Sequence, residues 1–272
     1  MTASTRNAHE AELGRLLGRC IEDFDLIEAG DRILVALSGG KDSYTLLHLL
    51  RRSQARAPVP FSLVAVHVDQ GQPGYDGAPL RQWLEAEDYD FRIIQEDTYS
   101  IVTARVEPGK TYCALCARLR RGILYTVAKE LGCNKIALGH HRDDAVETLL
   151  LNMSFNGSMA GMPARLQSPA HGLTVIRPLL YAAEAQIAAF ATAMRFPILP
   201  CNLCGSQAGL MRQQVKALLT TLEARSPHVR ANMLAAMGNL HLSHLLDRRY
   251  PAVTEHTPPA GKPSRRSLPV QP

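Results

Sequence analysis

The sequence lacks the features that would assign it to a membrane, to the secretory pathway or to a repeat architecture. No apolar run reaches the roughly 20 residues that cross a bilayer. The polar, charged stretch 2–15 does not resemble a secretory signal peptide, and no internal repeat occurs. We therefore expect a cytoplasmic protein without a membrane partner. Its 272 residues, 46% of them hydrophobic, suffice for one large α/β domain with an appendage.

Charge of either sign is scarce, and the excess of positive charge is modest. Charged residues make up 20% of the chain, and its formal net charge is +5. At 46% hydrophobic residues, this composition excludes global disorder. The positive balance favours a polyanionic partner such as nucleic acid, although a similar excess often serves only solubility.

The Walker A spacing of nucleotide-binding proteins, G-x-x-x-x-G-K-[ST], is absent. The chain instead contains Ser38-Gly39-Gly40-Lys41-Asp42-Ser43, placed between the apolar run 33–37 and the helical pattern 44–50. Two glycines let the backbone turn sharply and bring its amides close to an anion. The following helix adds free N–H groups and the positive end of its dipole. The stretch therefore predicts a strand, a phosphate-binding loop and a helix.

Strands and helices are predicted to alternate along most of the chain. The predicted strands are 33–37, 61–68, 91–94, 135–138 and a short fifth one at 175–176. The predicted helices are 10–24, 44–52, a short one around Trp83, 116–131, 143–154 and 184–194. This alternation indicates an α/β fold, a parallel sheet with helices on both faces and ligands at the carboxyl ends of its strands.

The last quarter of the chain differs in pattern. Apolar residues repeat at helical spacing between 207 and about 247, and the chain after 250 is rich in Pro, Thr, Ser and Arg. We therefore predict a nucleotide-binding domain at 1–206, a C-terminal helical extension at 207–250 and a disordered tail at 251–272.

An acidic segment, Gly139-His140-His141-Arg142-Asp143-Asp144-Ala145-Val146-Glu147-Thr148, follows the fourth predicted strand. Two readings are open for its carboxylates. Asp143 and Asp144 can cap the next helix. Together with Glu147, one turn later, they can also supply the oxygen ligands that Mg²⁺ prefers. Asp42 in the loop and Asp69 at the end of the second strand are further candidates for metal or nucleotide contact.

The six cysteines include two C-x-x-C pairs, Cys113 with Cys116 and Cys201 with Cys204. Four such ligands can hold zinc or an iron–sulfur cluster, and a pair can form a redox disulfide. The spacing alone favours structural zinc. Each pair, however, lies at the end of a predicted element, and the cationic residues Lys110, Arg118, Arg120 and Arg121 near the first pair are expected to lower thiol pKa values. Cys20 and Cys133 are predicted to be small buried apolar residues.

These motifs together resemble a known family. The loop 38–43 resembles the PP-loop of the ATP pyrophosphatase superfamily, which binds the β,γ-pyrophosphate of ATP and leaves the α-phosphate open to attack. With 112–122, 138–144 and 200–207, it makes the chain similar to the tRNA-cytidine(32) 2-sulfurtransferase family from about 16 to 246. The resemblance implies a PP-loop, Rossmann-like α/β fold.

The resemblance also implies a reaction. ATP would adenylylate the C2 oxygen of cytidine 32 in the tRNA anticodon loop with release of pyrophosphate. Sulfur transfer through a [4Fe-4S] cluster would then release AMP and leave 2-thiocytidine. The implied cofactors are ATP, Mg²⁺ and the cluster, and the implied partners are tRNA and a cysteine desulfurase as sulfur donor. A homodimer is common in the family.

The resemblance assigns roles residue by residue. The implied cluster ligands are Cys113, Cys116 and Cys204, with Cys201 as the odd member of the second pair. The implied catalytic residues are these three cysteines with Lys41 and Asp42. Asp42 and Asp144 are the candidates for Mg²⁺. The implied nucleotide-binding residues are Ser38, Gly39, Gly40, Lys41, Asp42, Ser43, Asp69, His140, Asp143 and Asp144.

Two rival functions stay open at this point. Another PP-loop enzyme that modifies tRNA, by 2-thiouridine or lysidine synthesis, would use the same loop. A non-catalytic, zinc-stabilised RNA-binding module would use the cysteines. For any RNA partner, basic residues near the sheet edge are predicted to contact phosphates. These residues are Lys110, Arg118, Arg120, Arg121, Arg142, Arg212, Lys216, Arg225 and Arg230.

Overall fold

The structure is a computed structural model that describes residues 3–105, 113–199 and 209–246, together with Arg249. Its strands are β1 (Arg32–Ala36), β2 (Ser62–Asp69), β3 (Phe91–Gln95), β4 (Lys135–Ala137), β5 (Arg165–Ser168) and β6 (Leu173–Ile176). Its α-helices are α1 (Ala3–Asp23), α2 (Lys41–Gln54), α3 (Ala78–Ala86), α4 (Thr98–Arg105), α5 (Cys113–Glu130), α6 (Arg142–Phe155), α7 (Glu184–Met194), α8 (Gly209–Glu223) and α9 (Val229–Met237). A 3₁₀ turn, Leu242–His244, follows α9.

The strands form one sheet in the order β3-β2-β1-β4-β6-β5. Strand β1 pairs in parallel with β2 on one side and with β4 on the other, and β5 alone runs antiparallel, beside β6. The chain therefore moves outward from β1 to β3, returns to β4 and continues in the opposite direction. This reversal places a crevice at the carboxyl ends of β1 and β4, where open α/β sheets bind their ligands.

Both faces of the sheet are covered, because successive residues of β1 point to opposite sides. Ile33 and Val35 pack in the core formed with α1, α2, α3 and α7, whereas Leu34 packs with Leu124 and Val127 of α5. All three β1 residues are fully buried. The predicted parallel α/β sheet with helices on both faces is therefore confirmed.

The C-terminal helices pack directly on the sheet domain. Val146 of α6 forms a small buried cluster with Val215 and Leu219 of α8. The segment 207–250 therefore lies against α6 as far as the structure describes it. The proposed boundary at 206 and the tail 251–272 lie outside the described residues, and the division into domains stays a prediction.

Two elements were not predicted from the sequence. Strand β5 shows no alternation of buried and exposed residues, since its two central residues are exposed at the edge of the sheet. Helix α4 is a single short helix of eight residues. The bounds of α7 agree with the prediction, and α5 begins three residues earlier than predicted, at Cys113.

No helix in the described part of the chain is long and apolar enough to cross a membrane.

The packing of α8 on α6 predicts a large loss of stability at one leucine and almost none at its neighbour. Leu219 is fully buried and Leu218 is 49% exposed. Leu219→Ala should lower the free energy of unfolding by about 2–5 kcal/mol, because it leaves a cavity between the helices. Leu218→Ala should change it by less than about 0.5 kcal/mol. Urea denaturation measures both, and equal effects would contradict the docking of α8.

Candidate active site

The loop between β1 and α2 is closed on itself by two serine hydroxyls. Ser43 Oγ accepts hydrogen bonds from the backbone N–H and the hydroxyl of Ser38, both at 3.1 Å, and donates to the carbonyl of Gly40 at 2.9 Å. Gly40 is the N-cap of α2, and no described side chain caps this helix. The positive end of α2 is therefore open toward the crevice, an arrangement that suits an anion.

Two glycines allow neighbouring backbone to touch this loop. Gly39 has a φ of +83°, and a Cβ at this position would lie 2.9 Å from the Leu199 side chain. Leu199 also donates its N–H to the carbonyl of Gly39 at 2.9 Å. A Cβ on Gly139, just after β4, would lie 3.1 Å from the backbone of Asp42. The phosphate loop, the exit of β4 and the chain two positions before Cys201 therefore meet.

The acidic segment separates into buried and pocket-facing carboxylates. Asp143 is buried, accepts a hydrogen bond from the N–H of Glu184 at 2.8 Å and lies 3.2 Å from Arg230 Nη1. Glu147 is only 1% exposed, with Arg212 Nε at 3.3 Å. Asp144 lines the pocket and forms a reciprocal capping box with His141. Asp143 and Glu147 thus stabilise the helix packing, and Asp144 alone of the three faces the site.

Ion pairs connect the phosphate loop to α8 through alternating charges. Lys41 Nζ lies 3.1 Å from Glu184 Oε1, and Lys216 Nζ lies 3.2 Å from Glu184 Oε2. Burial favours the neutral form of Glu184, but the hydrogen bond and charge of Lys41, with those of Lys216, outweigh it and lower the pKa of Glu184 to about 2. The series of ion pairs continues from Lys216 through Glu147 and Arg212 to Asp144.

This network bears on the basic residues predicted to contact RNA. Arg212, Lys216 and Arg230 each lie within 4 Å of two or more carboxylates, and Arg230 is buried. The expectation that Arg230 contacts RNA is therefore wrong, because burial removes its guanidinium from the surface. The charges of Arg212 and Lys216 are compensated by the acidic groups of α6 and α7.

A cavity of about 500 Å³ lies over the loop at the carboxyl edge of the sheet. On the β2 side, His67 donates through Nδ1 to the carbonyl of Leu37 at 2.7 Å, and its ring stacks with Tyr75 at a centroid distance of 5.8 Å. On the β6 side, the cavity is lined by Tyr125, His140 and Arg177. The phosphate loop lies between these two sides, which we call the β2 lobe and the β6 lobe.

His140 is held neutral by its surroundings. Arg177 donates through Nε to His140 Nδ1 at 3.3 Å. Burial and the charge of Arg177 lower the pKa of His140 to about 4. The neutral ring therefore carries its proton on Nε2 and can donate it to a ligand at neutral pH. Its predicted contact with a nucleotide remains a prediction.

Cys116 contacts Gln70, which follows β2 and lines the cavity. Its Sγ lies 3.0 Å from Gln70 Oε1, which also accepts a hydrogen bond from Thr98 at 3.3 Å. The Cys113 side chain lies outside the described residues, as do Cys201 and Cys204. The remaining two cysteines are buried, as predicted. Burial raises the pKa of Cys20 to about 12 and also raises that of Cys133.

A metal site built from protein groups alone is not present in the described ranges, where no three His, Cys, Asp or Glu side chains converge. Two carboxylates suffice for Mg²⁺ when substrate phosphates complete its shell. Asp42 and Asp144 both line the cavity. Asp42 Oδ1 is buried and accepts no hydrogen bond, although Lys41 Nζ lies 3.2 Å away. These donors fit a phosphate-bound Mg²⁺.

Asp69 shapes the backbone after β2, because its Oδ1 accepts the N–H of Gly71 at 3.0 Å. Sequence reasoning missed several residues around the cavity, among them Gln70, Arg177 and Leu199. Gln70 and Arg177 directly follow the ends of β2 and β6, so the rule that ligands bind at carboxyl ends could have found them. Leu199 carries no such signal, since only the folded chain brings it to Gly39.

Comparisons with known proteins agree with this geometry. Residues 9–198 match the PP-loop domain family. The chain is 59% identical to a tRNA-cytidine(32) 2-sulfurtransferase of Sorangium cellulosum over 87% of this chain and 83% of the relative. It is 53% identical to one from Erwinia tasmaniensis, over 89% and 78%. Its fold is similar to that of the U34-tRNA thiolase NcsA from Methanococcus maripaludis, solved with its [4Fe-4S] cluster. That match has a TM-score of 0.67 and 22% identity and covers 88% of this chain and 80% of NcsA.

We expect Gly39 and Gly40 to differ in how well they tolerate substitution by alanine. Gly39→Ala places a Cβ against Leu199 in a left-handed conformation, so we expect it to lower the free energy of unfolding by about 1–2 kcal/mol and to weaken binding of inorganic pyrophosphate. Gly40→Ala meets only Ser38 Oγ, at 3.5 Å, and should stay within about 0.5 kcal/mol. Urea denaturation and titration calorimetry measure the pair. Equal tolerance of both variants would contradict the close contact at Gly39.

Proposed function

Because the chain belongs to the tRNA-cytidine(32) 2-sulfurtransferase family, we propose that it converts cytidine 32 of the tRNA anticodon loop to 2-thiocytidine in an ATP-dependent reaction. The proposal rests on one observation: the phosphate loop, Cys116 and the chain before Cys201 lie around the same cavity. The phosphate loop forms its centre, Cys116 contacts its wall through Gln70, and Leu199 holds the chain before Cys201 on the loop itself.

The phosphate loop has the groups needed to activate the C2 oxygen. The open N-terminus of α2 and the ammonium group of Lys41 bind the β,γ-pyrophosphate and stabilise the charge that develops when it leaves. The α-phosphorus then faces the cavity. Asp42 and Asp144 would hold Mg²⁺ together with the phosphates, and the ion would offset the negative charge of the pyrophosphate. Attack by the C2 oxygen forms an O–P bond and makes this oxygen part of a good leaving group, AMP.

The cysteine segments bring sulfur to the same cavity. Thiolates are the ligands that iron–sulfur clusters require, and the motifs around the two pairs assign Cys113, Cys116 and Cys204 to this role. A [4Fe-4S] cluster held by these cysteines would supply the iron to which the incoming sulfur binds. The Cys116 thiol donates to Gln70 Oε1 and would lose this proton on binding iron. Attack of a sulfide-level sulfur on C2 forms the C–S bond, breaks the C–O bond and expels AMP.

The remaining partners follow from the chemistry of the substrate. An unpaired anticodon-loop base can leave its stack at little cost and enter a cavity. Arg120 and Arg121 line this cavity and supply positive charge for RNA phosphates. A cysteine desulfurase supplies the sulfur as a persulfide, and a thiol reductant supplies the two electrons that bring its outer sulfur to the sulfide level. The proposed site of action is the cytoplasm, and the homodimer that is common in the family is the candidate assembly. The proposed division is a domain at 1–206, a helical extension at 207–250 and a tail at 251–272.

The nucleotide assignment is tested at Lys41 and Ser43. Lys41→Ala and Ser43→Ala should lower the rate of 2-thiocytidine formation at least a hundredfold, because each removes a group that binds or shapes the phosphate site. Nucleosides from digested tRNA, separated by chromatography and identified by mass, give the measurement. Lys129→Ala, at an exposed lysine in the last turn of α5, is the control and should retain full activity. A normal rate for either loop variant would refute the assignment.

The ligand assignment is tested by iron and sulfide content after anaerobic purification. Cys113→Ala, Cys116→Ala and Cys204→Ala should each lose both elements together with activity. Cys20→Ala and Cys133→Ala serve as controls and should retain both, because their thiols are buried apart from the cavity. Cys201→Ala should keep the cluster. Loss of iron in Cys201→Ala, with retention in Cys204→Ala, would reverse the choice within the second pair, and stoichiometric zinc in the wild type would favour the non-catalytic module.

A further inference from the structure

The β6 lobe contains a buried cation without a described acidic partner. Arg177 is only 9% exposed. Its guanidinium donates to His140 Nδ1 at 3.3 Å and to the carbonyl of Pro163 at 2.7 Å, and neither acceptor carries a charge. Among the described residues, no carboxylate oxygen lies within 4 Å of it. A buried cation of this kind is costly unless a ligand supplies negative charge.

The groups around Arg177 increase the cost of burying its charge without a negatively charged ligand. Arg121 lines the same lobe, and burial together with the charge of Arg121 lowers the pKa of Arg177. The lobe also presents an aromatic ring: Tyr125 packs against His171 with ring centroids 4.5 Å apart, and it remains partly exposed to the cavity. An aromatic ring beside two guanidinium groups suits a ligand with a flat base and a phosphate.

The β2 lobe has a different chemistry. Its ring is Tyr75, stacked on a His67 whose pKa is lowered by burial, and its other walls include Val66 and Val68. The sheet order places this lobe on the opposite side of the phosphate loop, since β2 and β6 flank the pair β1 and β4. The proposed reaction needs two bases at once, the adenine of ATP and the target pyrimidine. Arg120 also lies near this lobe, since its charge helps to lower the pKa of His67. The ring of Tyr75 and the two valines suit an adenine whose phosphates are already held by the loop.

We propose that the β6 lobe binds the target nucleotide of the RNA, with its pyrimidine ring on Tyr125 and its phosphate toward Arg121 and Arg177. This assignment rests on the proposed function and names the subsite that the function requires. Tyr125 then determines how the base is held, whereas the arginines hold the backbone and do not distinguish one base from another.

The test compares two RNA hairpins with the anticodon-loop sequence, one with cytidine at the target position and one abasic there. Tyr125→Leu should weaken binding of the cytidine hairpin about tenfold, because stacking on one aromatic ring is lost. It should change the affinity for the abasic hairpin, and for ATP, by less than about twofold. Tyr125→Phe keeps the ring and should bind as the wild type does. Arg177→Lys should weaken both hairpins by similar factors and leave ATP binding unchanged.

The matched control is Tyr75→Leu in the β2 lobe, which should weaken ATP binding and leave both hairpins unaffected. If Tyr125→Leu does not fold, His171→Ala removes the ring that supports Tyr125 and should show the same selective loss for the cytidine hairpin. Weaker ATP binding with unchanged hairpin binding in Tyr125→Leu would reverse the two lobes and overturn the proposal, and so would equal losses for both hairpins. These are binding measurements, so the subsite can fail while 2-thiocytidine is still formed. Absence of 2-thiocytidine from wild-type reactions would instead refute the proposed function.

Discussion

The close approach of three backbone segments at the end of β1 is the constraint on which the site depends. A side chain at Gly39 would strike Leu199, and one at Gly139 would strike the backbone of Asp42. Since neither position carries a side chain, the phosphate loop, the exit of β4 and the chain that leads to the second cysteine pair can occupy one small region. Ser43 then holds the loop in this shape from within. The phosphate loop and the chain that precedes Cys201 become neighbours through the N–H and the side chain of Leu199.

The series of ion pairs from Lys41 to Asp144 also links separate parts of the chain. It connects Lys41 in the loop to α8, the helix that resumes the described chain after the second cysteine pair. Glu184 shares its two carboxylate oxygens between Lys41 and Lys216. Any ligand that draws the ammonium group of Lys41 away also alters the partner of Lys216. Glu184 is therefore the shared partner of one cation in the phosphate loop and one cation on α8.

Sequence reasoning predicted the features that depend on local pattern. The strand, loop and helix around residues 38–43 and the bounds of α7 follow from short-range periodicity and glycine placement. It could not decide between the carboxylates of the acidic segment, because that choice depends on Arg212 and Arg230, more than 60 positions away along the chain. It also missed β5, whose exposed edge residues show no alternation, and Arg177, whose importance lies in the acidic partner it lacks among the described residues.

The central claim is that the loop leaves the α-phosphorus of ATP open to the C2 oxygen of the target base. This claim is tested most directly by following that oxygen. An RNA hairpin labelled with ¹⁸O at C2 of the target cytidine is incubated with the protein loaded with its cluster, ATP, a persulfide donor and a thiol reductant. The nucleotide products are then analysed by mass spectrometry. The account predicts AMP that carries one ¹⁸O in its phosphate, in equal amount to the 2-thiocytidine formed. Unlabelled AMP with ¹⁸O in water, or ADP with ¹⁸O in inorganic phosphate, would contradict it.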